Sequence, residues 1–512
     1  MVIFTPWAFG TTQNWSIWTM NISSFALGGI LFTKWLIRRQ TGYRPARWGQ
    51  DPELDDSELL QIAKPGRDPI TLSVAILTLA VLAYILIGAL NSRATFIEWQ
   101  RRFDYHDCIN WLPHSYDSTS SWASFWKYSS LACFFWAARD WLLGKGGSGR
   151  RKRRHSHERA SEPGSRQAPS GSSSRRSELT SDVAEGGPDQ PHRRTRFEMP
   201  ARLRLLLWVL CINGAVLALE SILQRLSGTN KLLWLVVPLF NNTAESQFGP
   251  YAYRANAASY FNLLWPVSLG FWLILRQAAR GTARVDNRIG TGSYLVLLPG
   301  AVLMAACPII STTRGGALIA VGTILMMMGL LLWSTRKESL AFRVGACSLF
   351  AVIVVFSAVL GFNQLAVRFK TVFTDQMSQR TEIYDNAVAM THDFPILGTG
   401  AGTFGSLYQL YRTQPDQVWA AYVHDDWLET RITFGWLGFS MILLMLALVV
   451  ARWFWGRGIP MAREFTWTLW VAMAGCLLHA KFDFPFQIYS VLFLFLLLMS
   501  ILFSVSRSIP KS

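Results

Sequence analysis

The chain has 512 residues, of which 51% are hydrophobic and only 16% are charged, against about 25% charged residues in an ordinary soluble domain. This composition excludes a disordered, collagen-like or disulfide-stapled protein and disfavours a soluble globular enzyme. The net charge of +17 fits binding to nucleic acid, anionic lipid at a membrane surface, or a membrane topology with basic loops on one side. The long apolar runs favour the membrane topology and no nucleic-acid partner.

Eleven apolar segments are candidates for crossing a bilayer, whose hydrocarbon core of about 30 Å needs about 20 helical residues. In chain order they are Ser16–Leu36, Pro69–Leu90, Trp122–Leu143, Leu203–Leu223, Tyr253–Leu275, Tyr294–Ser311, Gly316–Trp333, Val344–Phe362, Phe434–Phe454, Thr466–His479 and Ile488–Val505. We therefore predict an all-α, polytopic integral membrane protein with eleven membrane-spanning helices, or twelve, and a long periplasmic loop.

Two of these predictions concern apolar runs that are too long for one span. A helix over Tyr294–Trp333 or Thr466–Val505 would be about 40 residues and roughly 60 Å long, twice the hydrocarbon thickness. Polar residues interrupt the first run at 311–316 and the second at 481–487. Each run is predicted to be a helical hairpin with a polar tip.

Strict alternation of the spans places the Lys- and Arg-rich connections on one side, which the positive-inside rule makes cytoplasmic. The predicted organisation is N-terminal membrane helices at 1–143, a basic disordered cytoplasmic loop at 144–202, central membrane helices at 203–362, a periplasmic loop with candidate catalytic residues at 363–433, and C-terminal membrane helices at 434–512. The basic loop is rich in Ser, Arg, Gly and Pro, as in a solvated linker or a segment that binds lipid headgroups.

The predicted periplasmic loop carries the densest group of polar motifs. A short helix is expected after Arg380, ending before Pro395. The following glycine run matches the dinucleotide pattern GxGxxG only through Gly400, Gly402 and Gly405, and no βαβ unit is expected around it. These glycines are therefore predicted to form tight turns.

Several stretches together resemble the O-antigen ligase/polymerase superfamily of membrane glycosyltransferases. They are QRTEIYDNAVAMTHDFPILGTGAGTFGSL, VHDDWLETRITFGWLG, STTRGGALIA, GPYAYRANAASYFNLLWP and HAKFDFPFQ, which cover roughly Leu203–Ser506. Within this pattern the family usually has Asn at the position of Asp425. The resemblance implies transfer of a glycan from an undecaprenyl-pyrophosphate carrier to an acceptor hydroxyl at the periplasmic face of the bacterial inner membrane.

The resemblance also assigns roles to three side chains. Arg314 and Arg380 match positions that the family uses to hold the pyrophosphate, and guanidinium groups bind phosphate oxygens well. His424 matches the loop histidine, which would act either as a base toward the acceptor hydroxyl or as a phosphate ligand. The expected partners are a lipid-linked glycan donor, a lipid or glycan acceptor and membrane lipids; no cofactor and no metal ion are expected.

Five further residues are candidates for substrate binding. Arg254 and Asn256 would line the cleft or anchor a helix, and Glu220 would pair with Arg254 or Arg314. Asp425 would orient the imidazole of His424 or raise its pKa, and Asp426 would assist or be an exposed charge. Outside this set, Asp483 is expected to cap a helix or form an ion pair, and His479 to pack at a helix end.

Other functions remain open from the sequence. Within the family, the alternatives are a polymerase that extends the lipid-linked glycan and a ligase whose acceptor is a protein hydroxyl. A transporter of lipid-linked glycans is an alternative from another class, but a transporter would be expected to have charged residues deep within its spans. The third alternative is a structural scaffold in which Arg314, Arg380 and His424 have no catalytic role.

Overall fold

The computed structural model describes residues 1–43, 68–144, 199–283, 293–336, 338–370, 377–413, 420–455 and 463–505. The basic stretch at 145–198, predicted to be disordered, lies outside these residues. The helices are α1 Phe4–Trp7, α2 Asn14–Thr41, α3 Pro69–Leu90, α4 Ser118–Leu143, α5 Ala201–Ser227, α6 Arg254–Ala283, α7 Leu297–Ile310, α8 Arg314–Ser334, α9 Leu340–Lys370, α10 Met377–Asp393, α11 Phe404–Leu407, α12 Asp426–Trp455, α13 Arg463–His479 and α14 Tyr489–Val505.

The helices agree with the predicted fold class in its main features. Except for the end residues Tyr253, Ser311 and Ile488, each of the eleven predicted segments lies in helical structure. Seven described helices are long and apolar enough to cross a membrane. One small departure from an all-α chain is an antiparallel hairpin of β1, Ala94–Ile97, with β2, Arg102–Tyr105. The chain is thus a predominantly helical, multi-pass membrane protein.

Helix α6 lies at the centre of the bundle and packs against α5, α7, α8 and α13. Its side chains Tyr260, Phe261 and Trp265 are fully buried. The N-terminal helices α2, α3 and α4 pack together beside this group and reach it through α14 and α12. Close packing of large apolar side chains against α6 fixes the relative positions of the helix ends that carry the polar residues.

The two ends of the bundle differ in the polar contacts that they carry. At one end, ion pairs join Arg38 to Asp140, Arg276 to Glu338 and Arg452 to Asp68. At the other end lie both predicted hairpin tips: the first tip, residues 311–313, joins α7 to α8, and the second tip, residues 480–488, joins α13 to α14. We call this second end the tip end of the bundle.

The chain leading to the tip end differs from the predicted boundaries. Helix α12 begins at Asp426, eight residues before the predicted span, and its backbone breaks at Gly435, where φ is 59°. Gly398 has a φ of 68°, and a Cβ built on it would lie 2.4 Å from the nitrogen of Gly435. The glycine run therefore forms turns against the break in α12, as predicted for Gly400 and Gly402, whose φ values are also positive. Gly405 was predicted to lie in a turn as well, but it is instead inside the short helix α11.

Candidate active site

His424 and Asp483 form the centre of the polar site at the tip end. His424 lies in the loop before α12, and Asp483 lies in the second tip. The Nδ1 atom of His424 is 3.3 Å from Oδ1 of Asp483. The Asp483 side chain is 9% exposed and the His424 side chain 26% exposed, so a buried carboxylate faces an imidazole that solvent or substrate can reach.

Two opposing effects act on the pKa of Asp483. Burial raises the pKa, whereas the hydrogen bond and charge of His424, together with the charges of His479 and Arg380, lower it; the net result is a pKa below 3.8. Asp483 is therefore ionised at neutral pH. An ionised carboxylate only accepts hydrogen bonds, so the nitrogen of His424 that faces it carries a proton.

The backbone of His424 is held in an uncommon conformation. Its φ of 62° lies in the left-handed region, which costs energy for a residue other than glycine. The hydroxyl of Tyr384 donates to the His424 carbonyl oxygen at 3.1 Å, and the preceding Val423 N–H donates to Glu429 Oε2 at 3.0 Å. These contacts from α10 and α12 hold the imidazole toward the second tip.

Both predicted arginines lie beside this pair. Arg380 Nη1 donates to the Phe482 carbonyl oxygen at 3.2 Å, one residue before Asp483. Arg314 begins α8 directly after the first tip and lies within electrostatic reach of Arg380. Arg380 is inside α10, whose first described residue is Met377, and does not precede it as predicted. Three distant stretches of sequence thus bring Arg314, Arg380 and His424 to one site.

An aromatic wall, which the sequence did not single out, lines the site. The ring of Phe484 stacks on Tyr422, with centroids 4.5 Å apart, and on Tyr253, with centroids 5.4 Å apart. It also contacts the His424 ring edge-on at 4.8 Å. Burial raises the pKa of Tyr422 to about 12, and burial with the negative charge of Asp483 raises the pKa of Tyr253 against the opposing charge of Arg380. Both tyrosine side chains are therefore neutral near pH 7.

The prediction that Asp425 orients His424 is wrong. Asp425 Oδ1 accepts hydrogen bonds from the backbone N–H groups of Trp427 and Leu428, each at 3.1 Å, and its other oxygen pairs with Lys481. This is the geometry of an N-cap, which satisfies the free donors at the start of α12. The carboxylate that contacts the imidazole is instead that of Asp483, which is 59 residues from His424 in the sequence.

Asp426 is buried and joins α12 to the second tip. It is 2% exposed, and its carboxylate accepts from the Phe486 N–H at 2.8 Å and from Gln487 Nε2 at 3.1 Å. Its own N–H donates to the Ala480 carbonyl oxygen at 2.8 Å. The prediction of an exposed charge is therefore wrong, and the contacts of Asp426 position the two segments that carry His424 and Asp483.

The remaining predicted residues lie at the same end of the bundle but make local contacts. Arg254 Nη1 donates to the Glu245 carbonyl oxygen at 2.5 Å, and Asn256 is 5% exposed in the first turn of α6. Glu220 accepts from the Ser221 hydroxyl at 3.3 Å. Glu220 was predicted to pair with Arg254 or Arg314, and neither pairing is among the contacts of the described residues. Its contact there is with the neighbouring Ser221.

These features define a multi-pass membrane protein whose polar site lies where two hairpin tips, a loop and a short helix meet. A model of the O-antigen ligase family matches residues 299–443. The matched segment contains Arg314, Arg380 and His424, and its match confirms the resemblance to the O-antigen ligase superfamily. It supports a membrane glycosyltransferase-like enzyme with lipid-linked glycan and membrane lipid partners. A comparison with curated proteins gives no match.

Proposed function

We propose that this protein transfers a glycan from an undecaprenyl-pyrophosphate carrier to an acceptor hydroxyl at the periplasmic face of the bacterial inner membrane. The observation that carries the proposal is the second tip, where Asp483 pairs with His424 at 3.3 Å and the adjacent Phe482 carbonyl binds Arg380. The proposed base, its orienting acid and the proposed phosphate-binding cation therefore meet at two consecutive residues of this tip, Phe482 and Asp483.

Arg314 and Arg380 bind the pyrophosphate in this proposal. The leaving group gains negative charge as the glycosidic bond breaks, and guanidinium groups that are already positioned stabilise that charge in the transition state. Two like charges near each other repel, so an anionic group bound between them relieves an unfavourable interaction. Their proximity supports a ligand with more than one negative charge.

His424 acts as the general base in this proposal. Asp483 keeps the proton of the neutral imidazole on Nδ1, so Nε2 carries the free lone pair. Nε2 removes the proton of the acceptor hydroxyl while its oxygen forms a bond to the anomeric carbon. The bond from that carbon to the pyrophosphate oxygen breaks, and its electron pair remains on the pyrophosphate between the arginines. Direct displacement of this kind inverts the anomeric configuration.

The proposed reaction is independent of metal ions. Among the residues that the structure describes, no three His, Cys, Asp or Glu side chains group in a way that could hold a metal ion. The carboxylates nearest the site are engaged with protein donors: Asp425 with backbone N–H groups, Asp426 with the second tip and Asp483 with His424. Cationic side chains supply the charge stabilisation that a divalent ion would otherwise provide.

The test is glycan transfer by the purified full-length protein from a defined lipid-linked donor, with EDTA present. We expect chelator-resistant transfer by the wild type and severe loss in Arg314→Ala, Arg380→Ala and His424→Ala. Arg343→Ala is the matched control, since Arg343 is exposed and lies near the start of α9, at the opposite end of the bundle. Transfer that survives all three site substitutions in folded protein would contradict the proposed function.

Two further measurements separate the proposal from its rivals. In a deletion strain, full-length glycans left on the lipid carrier indicate ligation, whereas accumulated single repeat units indicate polymerisation. In proteoliposomes, movement of lipid-linked glycan across the bilayer without any new glycosidic bond would indicate a transporter and contradict the enzyme.

A further inference from the structure

His479, at the end of α13, is a second histidine beside the proposed site. It is 1% exposed, and its Nδ1 lies 3.0 Å from the hydroxyl oxygen of Ser259 in α6. That hydroxyl donates its own hydrogen to the Ala255 carbonyl oxygen at 3.0 Å. Ser259 therefore accepts from His479, which places a proton on Nδ1 and directs Nε2 away from α6.

The Nε2 atom of His479 is buried and has no hydrogen-bond partner among the described residues. It faces the first turn of α8, because a Cβ built on Gly315 would lie 3.3 Å from it. Thr313, which precedes α8, makes no side-chain capping bond to this turn. A buried nitrogen therefore lies against the amino end of a 21-residue helix, and helix amino ends favour anions.

Burial and the charges that face His479 together decide when it can be protonated. Asp483 and Arg380 both act on it, and Arg314 begins the helix turn that it faces. An imidazolium near two guanidinium groups is unfavourable on its own, although Asp483 offsets part of the repulsion. An anion bound at the amino end of α8 reverses the balance, because it attracts all three cations.

We propose that His479 is a proton-coupled ligand for the diphosphate group of the lipid-linked donor. When the diphosphate binds, Nε2 takes a proton from solvent and donates it in a hydrogen bond to a phosphate oxygen, beside the N–H groups of the first turn of α8. Nδ1 keeps its bond to Ser259 throughout. This inference rests on the proposed function, since it assigns a further residue to the same donor.

The experiment measures binding and proton uptake without requiring transfer. The full-length protein in detergent is titrated calorimetrically with inorganic pyrophosphate and with farnesyl diphosphate, each in two buffers of different ionisation enthalpy. We expect the wild type to take up as much as about one proton, more at mildly acid than at alkaline pH. His479→Gln should take up less and bind about 10- to 100-fold more weakly at mildly acid pH, with a smaller difference at alkaline pH.

A second variant leaves the histidine in place. Gly315→Ala puts a methyl group between His479 and the proposed anion and should weaken binding of both probes. Gly322→Ala is the matched control in the same helix, because a Cβ there meets nothing within 4 Å; it should bind as the wild type does. Thermal unfolding of each variant establishes that it is folded.

The outcomes separate this inference from the function on which it rests. Unchanged proton uptake in His479→Gln, or unchanged binding in Gly315→Ala, overturns the role of His479 and leaves the proposed function standing. Failure of the wild type to bind either probe, or binding that Arg314→Ala and Arg380→Ala leave intact, contradicts the proposed function itself. If His479→Gln binds both pyrophosphate and farnesyl diphosphate more weakly, the effect lies at the diphosphate group. If it binds only farnesyl diphosphate more weakly, the proposed role of His479 is contradicted.

Discussion

The carboxylate of Asp483 lies 3.3 Å from the imidazole of His424, across a sequence separation of 59 residues. Helix α12 leads away from His424 and α13 returns to the second tip, so the contact forms only when both helices are packed. The pairing explains how a loop histidine with a left-handed backbone keeps one orientation. The pairing also makes Asp483 a direct target for mutation.

Asp483→Asn should reduce kcat of glycan transfer by about 10²- to 10⁴-fold, the usual contribution of a positioned general base. The amide can donate to Nδ1 and so favours the tautomer with the proton on Nε2, where the acceptor hydroxyl needs a lone pair. Asp385→Asn is the control, since Asp385 is exposed on α10, and steady-state kinetics with a defined donor gives the comparison. Equal kcat for Asp483→Asn and wild type would exclude this role.

The lowered pKa of Asp483 also predicts how stability depends on pH. A carboxyl group whose pKa is lower in the folded protein than in the unfolded chain stabilises the fold above its unfolded pKa, and the effect disappears as pH falls through the folded pKa. Since the folded pKa lies below 3.8, the stability difference between wild type and Asp483→Asn should be constant above about pH 5 and shrink below about pH 4. Thermal unfolding in detergent across this range measures it; a difference that grows on acidification would be inconsistent with a lowered pKa.

Asp425 should respond to substitution in a different way. Asp425→Asn keeps an oxygen that accepts from the Trp427 and Leu428 N–H groups, and Asn is as good an N-cap as Asp. It should retain most activity. Asp425→Ala removes the cap and should lower the free energy of unfolding by about 1 kcal/mol. The same substitution also removes the ion pair with Lys481, which adds to the loss.

Denaturant unfolding with parallel transfer assays separates these expectations. If Asp425→Asn lost as much activity as Asp483→Asn, the assignment of the cap and the orienting acid to different residues would be incorrect.

The turn at Gly398 should tolerate no side chain. Gly398→Ala forces a φ of 68° on alanine and places its Cβ 2.4 Å from the Gly435 nitrogen; we expect a loss of about 2–4 kcal/mol. Gly42→Ala is the matched control, because Gly42 has a φ of 65° but nothing within 4 Å of a built Cβ. It should lose only about 1–2 kcal/mol, the cost of the backbone conformation alone.

Thermal unfolding of both glycine variants gives the comparison. Equal losses would mean that the glycine turn is not packed against the break in α12.

The helical elements were predictable because their signals are local. Long apolar runs require helices in a bilayer, since every backbone polar group must be satisfied within the segment. The polar interruptions at 311–316 and 481–487 marked the two hairpin tips, and the glycine run marked tight turns. The small β-hairpin and the early start of α12 were missed, because neither depends on hydrophobicity.

The sequence by itself determined which kinds of side chain meet, whereas only the tertiary structure decided their partners. Arg314, Arg380 and His424 could be chosen from their chemistry and the surrounding motifs. The partner of His424 could not, because Asp425 is adjacent in sequence but its carboxylate satisfies the free N–H groups at the start of α12. Asp483 reaches the imidazole only because α12, α13 and α14 pack with their ends aligned, and that alignment depends on the shape of side chains far from the site.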